Sequence, residues 1–541
     1  MAHRTFTRRE MAQPLAAGMA AGARLLAGAA PAARCTVVND RGEPLSTGDL
    51  TRFHVCDLLM RPFPIQPQFE PGAVAFEPPR QAFRIGLPLA VPGFGNVFVY
   101  ADNRGRGYTA RAFSQPLFLN LEFASDRLAT VQGLLEECRR SNVTISAAAR
   151  ERADKAKALL ARAEALENDR PAQAHALTAS LSESLWAGEL IAAERADQVI
   201  ARRGARPGFL FGCNAFQYPE YGERYAEQFQ AVFNFATVPF YRGMVEREQG
   251  HPDYSAPEKL LRWLGRTDII CKGHPLIFLS DSTPEWLRNL PFTRTKELCT
   301  RHVREAILRF RSRVHAWDVI NEAHVQPEPE TGMQGFTKEQ NVELTAAALR
   351  AAREADPTCF RVVNSTGTWG DYYMGRKPAV WQQSVYDYLH MLQDARVEYE
   401  AIGLQYYHSG RDLLEFERDL ETFQDFGKPV HITELGIPSS SDDVGKNEWW
   451  GGGVGGCRMV WHGERHTETT QADWVEQLYK IAFSKPYVEA ITWWDLSDPA
   501  FVPHGGLLRA DGRPKPAYNR LAALEAKWRR EGVLLTAGQI R

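Results

Sequence analysis

Cysteine is sparse in this sequence: eight residues in 541, none of them in a C-x-x-C pair. That spacing excludes a zinc knuckle or a thioredoxin-like site. Cys35, Cys56, Cys138, Cys213, Cys271, Cys299, Cys359 and Cys457 read mostly as small buried hydrophobes instead. A basic excess is also missing. Lys plus Arg is 64 against 66 Asp plus Glu, a net charge of −2, which argues against a nucleic-acid binder. After residue 35 no apolar stretch reaches the roughly 18 uncharged residues of a transmembrane helix, so no membrane insertion is expected. No G-x-G-x-x-G or Walker loop stands in a strand–helix context, so no nucleotide is implied. No H-E-x-x-H occurs either. His324, His431 and His462 invite a metal reading, but neither a catalytic metal nor another cofactor is expected.

What is present is average for a globular protein, with 44% hydrophobic and 24% charged residues. At about 150 residues per domain, the length suggests two to four domains. Residues 1–35 do not read as fold. Arg8-Arg9 precedes an Ala/Gly/Leu-rich stretch and a small-residue segment at Ala29–Arg34, a pattern that resembles a twin-arginine export signal. Export to the periplasm or outside the cell is the expectation. The alternative is a plain N-terminal tail on a cytoplasmic protein.

Residues 36–125 are β-rich. Runs such as Val97-Phe98-Val99-Tyr100 are short and bounded by Gly, Pro and Asn-rich turns, which suggests a small β-sandwich-like domain. It reads as either a carbohydrate-binding module or a packing domain. Residues 126–205 carry Leu159, Leu160, Ala163 and Leu166 at helical spacing, a break at Pro171, and then Leu177, Leu181, Leu185 and Leu190. A helical hairpin spacer is the simplest account, and an oligomerisation coil the alternative. Oligomeric state cannot be read from the sequence.

From 206 to about 530 the texture changes. Short apolar runs at 209–214, 235–240, 269–274, 315–320, 360–364, 401–406, 429–434 and 490–495 alternate with room for amphipathic helices. Eight strand-then-helix units predict an α/β fold, a (β/α)8 TIM barrel. Chemistry in such a barrel sits at the C-terminal strand ends. Asn321-Glu322 ends the fourth run and Thr433-Glu434 the seventh. Each acid follows a stretch that should be buried, where an unpartnered carboxylate is costly. Two acids converging on one mouth suit glycosidic bond cleavage, in which one protonates the leaving oxygen and the other attacks the anomeric carbon or directs water. The bland alternative is a structural ion pair on the barrel rim.

The same residues carry a family resemblance. Trp317-Asp318-Val319-Ile320-Asn321-Glu322 resembles the acid/base motif W-D-V-x-N-E of glycoside hydrolase family 10, the endo-β-1,4-xylanase family, and Ile432-Thr433-Glu434-Leu435 is similar to its nucleophile motif. Lys272-Gly273-His274-Pro275-Leu276 resembles its R-G-H-T-L. Ile402-Gly403-Leu404-Gln405 resembles its I-G-x-Q, Ile491-Thr492-Trp493-Trp494 its I-T-x-W, and Arg513-Pro514-Lys515-Pro516-Ala517-Tyr518 its closing N-P-K-P-A-Y. The resemblance implies a retaining hydrolase of β-linked polysaccharide or oligosaccharide. Glu434 would be the nucleophile and Glu322 the acid/base, with carboxyl groups about 5–5.5 Å apart. It further implies that Asn321 bonds the sugar 2-hydroxyl and that the environment of Glu322 raises its pKa. A second reading keeps the class but changes the action, to an exo-glycosidase or transglycosylase on another β-glycan. A third is a non-catalytic glycan binder on the same scaffold.

Departures cluster at sugar-contacting positions. The second strand of the family offers an amide and a lysine. Here Phe240-Tyr241-Arg242-Gly243 stands there, with Arg242 or Tyr241 left to fill in. After the third strand the family has a histidine, and this chain has Leu279. On the sixth strand Tyr407 stands in register with a family histidine, and His408 falls one position late. A tyrosine hydroxyl can bond a carboxylate nucleophile as histidine can. Expected substrate contacts are therefore Asn321, His274, Gln405, Tyr407, Trp494 and Arg242. Trp494 is the expected floor of the reacting subsite, with Trp493 facing the helices. A Gly- and Trp-rich insertion at 440–470, containing Glu448-Trp449-Trp450 and Trp461-His462, reads equally as a lid or as a plug on the rim.

Overall fold

The structure is a computed structural model that describes residues 33–280, 282–325, 327, 333–369, 383–407, 410–442 and 460–534. The Arg8-Arg9 segment, His408, Trp449 and Trp450 lie outside the described residues. Among the described residues no helix is long and apolar enough to cross a membrane.

The chain opens with β1 (Ala33–Thr36), α1 (Thr47–Leu50), β2 (His54–Cys56), β3 (Gln68–Glu70), β4 (Ala73–Phe76), β5 (Arg84–Val91), β6 (Gly95–Ala101) and β7 (Leu117–Phe118). These make two small sheets, in the orders β3-β4-β1-β7 and β2-β5-β6. Alternation along β1 buries one face of the first sheet, while β2, β5 and β6 are buried almost throughout, one face on this region's own core and the other against the barrel. Cys35, Val55, Val74, Ile85, Leu87 and Val97 meet in one core. Three helices follow: α2 (Leu119–Arg140), α3 (Ala147–Glu164) and α4 (Arg170–Arg203). Asp169 caps α4 by accepting from the Ala172 N–H, and Pro171 sits in its first turn, where a missing N–H costs nothing. The helical segment is thus three helices rather than a hairpin. The added helix, α2, buries Leu128, Val131, Leu134 and Cys138 at helical spacing.

The barrel strands are β8 (Leu210–Asn214), β9 (Phe235–Pro239), β10 (Ile270–His274), β11 (Ala316–Asn321), β12 (Phe360–Ser365), β13 (Ala401–Tyr406), β14 (Val430–Leu435) and β15 (Val488–Trp493). Interleaved with them are α5 (Tyr218–Gln230), α6 (Arg242–Val245), α7 (Ser255–Leu264), α8 (Glu285–Arg288), α9 (Phe292–Phe310), α10 (Lys338–Ala355), α11 (Val385–Asp394), α12 (Leu413–Thr422), α13 (Glu468–Ser484) and α14 (Pro516–Arg530). All eight strands pair in parallel, and β15 closes on β8. They are buried on almost every position, which is why they read as short, mainly apolar runs.

Two glycines show how tightly the interior is packed. A Cβ on Gly273 would lie 2.2 Å from the fully buried ring of Trp317, and one on Gly403 would lie 2.7 Å from Asn364 Oδ1. Both positions admit only hydrogen.

The N-terminal region packs into the barrel instead of standing apart from it. Ala192, Ala196 and Ile200 of α4 share a core with Phe209 and Phe211 of the barrel. On the other side, Asn96 of β6 exchanges two backbone hydrogen bonds with Val460, each 3.0 Å, and the Gly463 N–H donates to Phe94 O at 2.7 Å. The Phe98 N–H donates to Gly410 O at 2.9 Å. Buried Arg127 pairs with Asp412, and Arg411 lies over the Phe98 ring, 3.9 Å from its centroid. The carboxylate of Glu189 in α4 accepts from the Leu413 N–H at 3.1 Å and from Trp461 Nε1 at 2.7 Å, and it also meets His462 Nε2. Trp461 is therefore a buried packing residue where α4 meets the barrel. These bonds hold the chain just after Tyr407 and the return of the loop that leaves Glu434.

Candidate active site

The site lies at the C-terminal ends of β9 to β15, and the strands that build it are irregular there. Register shifts fall between Asp318 and Ile320 on β11, between Leu404 and Gln405 on β13, and between Ile432 and Leu435 on β14. Such bulges re-aim side chains, and these three precede or flank Asn321, Gln405 and Glu434. Glu322 follows β11 with φ of +54°, the left-handed region that a non-glycine residue seldom occupies. Two backbone bonds hold it there: its N–H donates to Asn364 O at 2.8 Å, and its carbonyl accepts from Val325 at 2.9 Å. The strained backbone turns the carboxyl back over the barrel mouth.

Glu322 and Glu434 belong to one hydrogen-bond net. Gln405 Nε2 donates to Glu322 Oε1 at 2.8 Å, and Asn321 Nδ2 donates to the same oxygen at 3.3 Å. Asn321 Oδ1 accepts from Asn364 Nδ2 at 2.7 Å, and that Nδ2 lies 2.9 Å from Glu434 Oε1. The Tyr407 hydroxyl donates to Glu434 Oε2. Glu322 is half-buried and Glu434 is buried. Burial pushes the Glu434 carboxyl up to about 8, and the charge of Glu322 adds to the shift, while the Tyr407 hydrogen bond and the Lys272 charge oppose it.

Beneath Glu434 runs a second buried chain. Lys272 Nζ lies 2.7 Å from Asp318 Oδ2, with both side chains fully buried, and His274 Nδ1 reaches the same oxygen at 2.8 Å. Burial alone would raise Asp318, but the Lys272 charge and the His274 bond hold its carboxyl below its ordinary value. His274 Nε2 lies 3.1 Å from the Tyr241 hydroxyl and 3.8 Å from Glu434 Oε1. Trp494 packs edge-on to His274, with ring centroids 5.1 Å apart, and to Phe216 at 5.4 Å. Trp493 faces outward, donating from Nε1 to Gly505 O at 3.1 Å. Phe501 is 57% exposed and stands edge-on to Tyr407, with ring centroids 5.6 Å apart.

The structure therefore brings Glu322, Glu434, Asn321, His274, Gln405, Tyr407 and Trp494 together. Arg242 does not join them. It is the first residue of α6 and turns outward, where it pairs with Glu246 at 3.0 Å, stacks on Trp286 and donates to Cys299 Sγ. Its neighbour Tyr241 faces the mouth instead. Asn364, absent from the expected set, is the bridge of the net. Its one sequence signal is its position as the polar residue ending the fifth apolar run. His462 and His466 stand four apart in the sequence, but His462 is engaged by Glu189, and among the described residues no group of three or more His, Cys, Asp or Glu could hold a metal ion.

Paired carboxyls at the top of a closed barrel, one half-exposed beside amide donors and one buried beneath a phenol, define a glycoside hydrolase. Residues 204–524 match the model of Glycosyl hydrolase family 10, and the chain belongs to that family. Endo-1,4-beta-xylanase B of Thermotoga neapolitana is 26% identical over 329 residues, which are 58% of this chain and 86% of that protein. An endo-1,4-beta-xylanase/feruloyl esterase of Xylanibacter ruminicola is 23% identical over 288 residues, 47% of this chain but only 36% of that longer protein. Among solved structures, native xylanase 10B from Thermotoga maritima aligns with a TM-score of 0.47 at 22% identity, covering 63% of this chain and 99% of that one.

Proposed function

We propose that this glycoside hydrolase is a retaining endo-β-1,4-xylanase. The observation that carries the reading is the net Glu322–Gln405–Asn321–Asn364–Glu434, which gives two carboxyls unlike surroundings on one mouth. Both oxygens of Glu434 accept hydrogen bonds, and the bond from Tyr407 works against the rise that burial produces, towards the ionised form a nucleophile needs. Glu322 is the more exposed of the two, as suits a group that exchanges protons with a leaving group and with water.

In the first step a Glu434 oxygen bonds to the anomeric carbon. The bond from that carbon to the leaving oxygen breaks, and the proton of Glu322 goes to that oxygen. In the second step water attacks the same carbon. Its proton passes to Glu322, and the bond to Glu434 breaks, so configuration is retained. Asn321 and Asn364 hold the two acids in register, and Trp494 offers the sugar an apolar face. Polymeric xylan does not cross a membrane, so the proposal includes export through the Arg8-Arg9 segment.

The test is hydrolysis of β-1,4-xylan by the purified protein, with product lengths followed over time. Release of mixed xylo-oligosaccharides by wild type, and none by Glu434→Ala, is expected. Xylan left intact while another β-glycan is cut would overturn the substrate. Unchanged turnover in Glu434→Ala would overturn the site.

A further inference from the structure

The direction of the hydrogen bond made by the Tyr241 hydroxyl is fixed from below. Asp318 is an ionised, fully buried carboxylate in contact with Lys272, so it can only accept. His274 Nδ1, 2.8 Å from it, must therefore carry a proton. Burial holds the His274 pKa below its ordinary value, so the ring is neutral and its Nε2 carries none. The only polarity left for the 3.1 Å contact is donation from the Tyr241 hydroxyl to Nε2. With its proton committed, the phenolic oxygen keeps its lone pairs for another donor.

The position of that oxygen says what the donor is. Tyr241 follows β9 as its chain turns into α6, and its ring stands edge-on to Phe216 and to His274. Burial and the charges of Glu434 and Glu322, the two reacting carboxyls, hold the phenol pKa well above its usual range, so it stays protonated. Its neighbour Arg242 points outward and leaves the mouth to Tyr241.

We propose that Tyr241 is a substrate-binding, specificity-determining residue whose phenolic oxygen accepts a hydrogen bond from a ring hydroxyl of the reacting sugar. His274, Asp318 and Lys272 act as positioning residues that fix it as an acceptor. The inference rests on the glycosidase reading above and names the group on the substrate that this chain recognises. A sugar with that hydroxyl removed, or replaced by an acceptor only, leaves the oxygen without its partner.

The experiment compares wild type and Tyr241→Phe on a 4-nitrophenyl β-xylobioside and on its analogues singly deoxygenated in the reacting ring. Wild type should lose about 10- to 100-fold in kcat/KM on one analogue, the cost of an unmet buried polar group. Tyr241→Phe should show a similar loss on the parent glycoside and no further penalty on that same analogue, with its other deoxy penalties unchanged. Identical deoxy penalties in both proteins overturn the proposal. A second measurement separates this from failure of the glycosidase reading. In protein labelled with 15N-histidine, His274 should show a protonated Nδ1 and a bare Nε2. If neither protein hydrolyses any glycoside, the parent reading falls, and the tautomer still decides the direction of the bond. A protonated Nε2 would make Tyr241 a donor to the cleft and overturn the assignment.

Discussion

Asn364 Nδ2 lies 2.7 Å from Asn321 Oδ1 and 2.9 Å from Glu434 Oε1, so a single amide couples the residue next to one acid to the other acid. The rest of that side chain is also committed, since its Oδ1 accepts from Thr433 Oγ1 and packs against Gly403. Few substitutions can keep this geometry. Asn364→Ala removes a donor to a carboxylate, an interaction worth about 1.5–3 kcal/mol. The expected result is a 10- to 100-fold lower kcat, by roughly a tenfold loss per 1.4 kcal/mol, with KM changed much less. Steady-state kinetics on an aryl xylobioside checks it, and a kcat within twofold of wild type would refute the role.

Tyr407 acts on the charge of Glu434. Its hydroxyl bond opposes the rise produced by burial and by Glu322. Tyr407→Phe therefore moves the Glu434 pKa further up. A nucleophile must be ionised, so the acid limb of the kcat/KM profile should shift to higher pH, with a lower maximum. A pH–rate profile measures it directly. A shift to lower pH would contradict the assignment of that bond.

Stability carries the same signature. In the unfolded chain Glu434 titrates near 4.5, and in the folded protein it is raised to about 8. Between those values the folded state holds more protons than the unfolded state, so stability falls as pH rises from about 4.5 to 8. The penalty is complete above the folded value and absent below the unfolded one. Glu434→Gln removes it, and the variant should gain stability on the order of a few kcal/mol at pH 8 and little at pH 4.5. Denaturant melts at the two pH values give the difference. A variant less stable than wild type at pH 8 would show that the burial penalty is not real.

The N-terminal region supports the mouth through Glu189, whose buried carboxylate receives the Leu413 N–H and Trp461 Nε1. Glu189→Ala strands these two donors and also frees His462, at about 1–3 kcal/mol for each buried unsatisfied group. A lower Tm and a lower kcat are expected together. A chain beginning at residue 206 would also lose Ala192, Ala196 and Ile200 from the core they share with the barrel, and is expected to be insoluble or inactive. Expression of that fragment with wild-type kcat would show that the region is a detachable module.

The eight barrel strands are legible because a parallel strand buried on both faces reads as a mainly apolar run, here ending in a polar group at several strands. Both glutamates are legible because each sits where such a run stops. Tyr241 and Arg242 mark the limit of that logic. They are adjacent, and only the turn into α6 decides that the first faces the mouth and the second faces α9. Asn364 ends a run just as Asn321 does, yet nothing local distinguishes a bridging amide from a strand terminator. Contacts such as Asn96 to Val460 or Glu189 to Trp461 join segments far apart in the chain, and no periodicity encodes them.

The most direct test of the central claim is covalent trapping. A 2-deoxy-2-fluoro-β-xylobioside with a good leaving group slows the second step more than the first, so a glycosyl-enzyme accumulates. The account predicts one added fluoroxylobiosyl group, located by peptide mass spectrometry on Glu434. A label on Glu322, or full turnover of xylan with no adduct on Glu434, would contradict it.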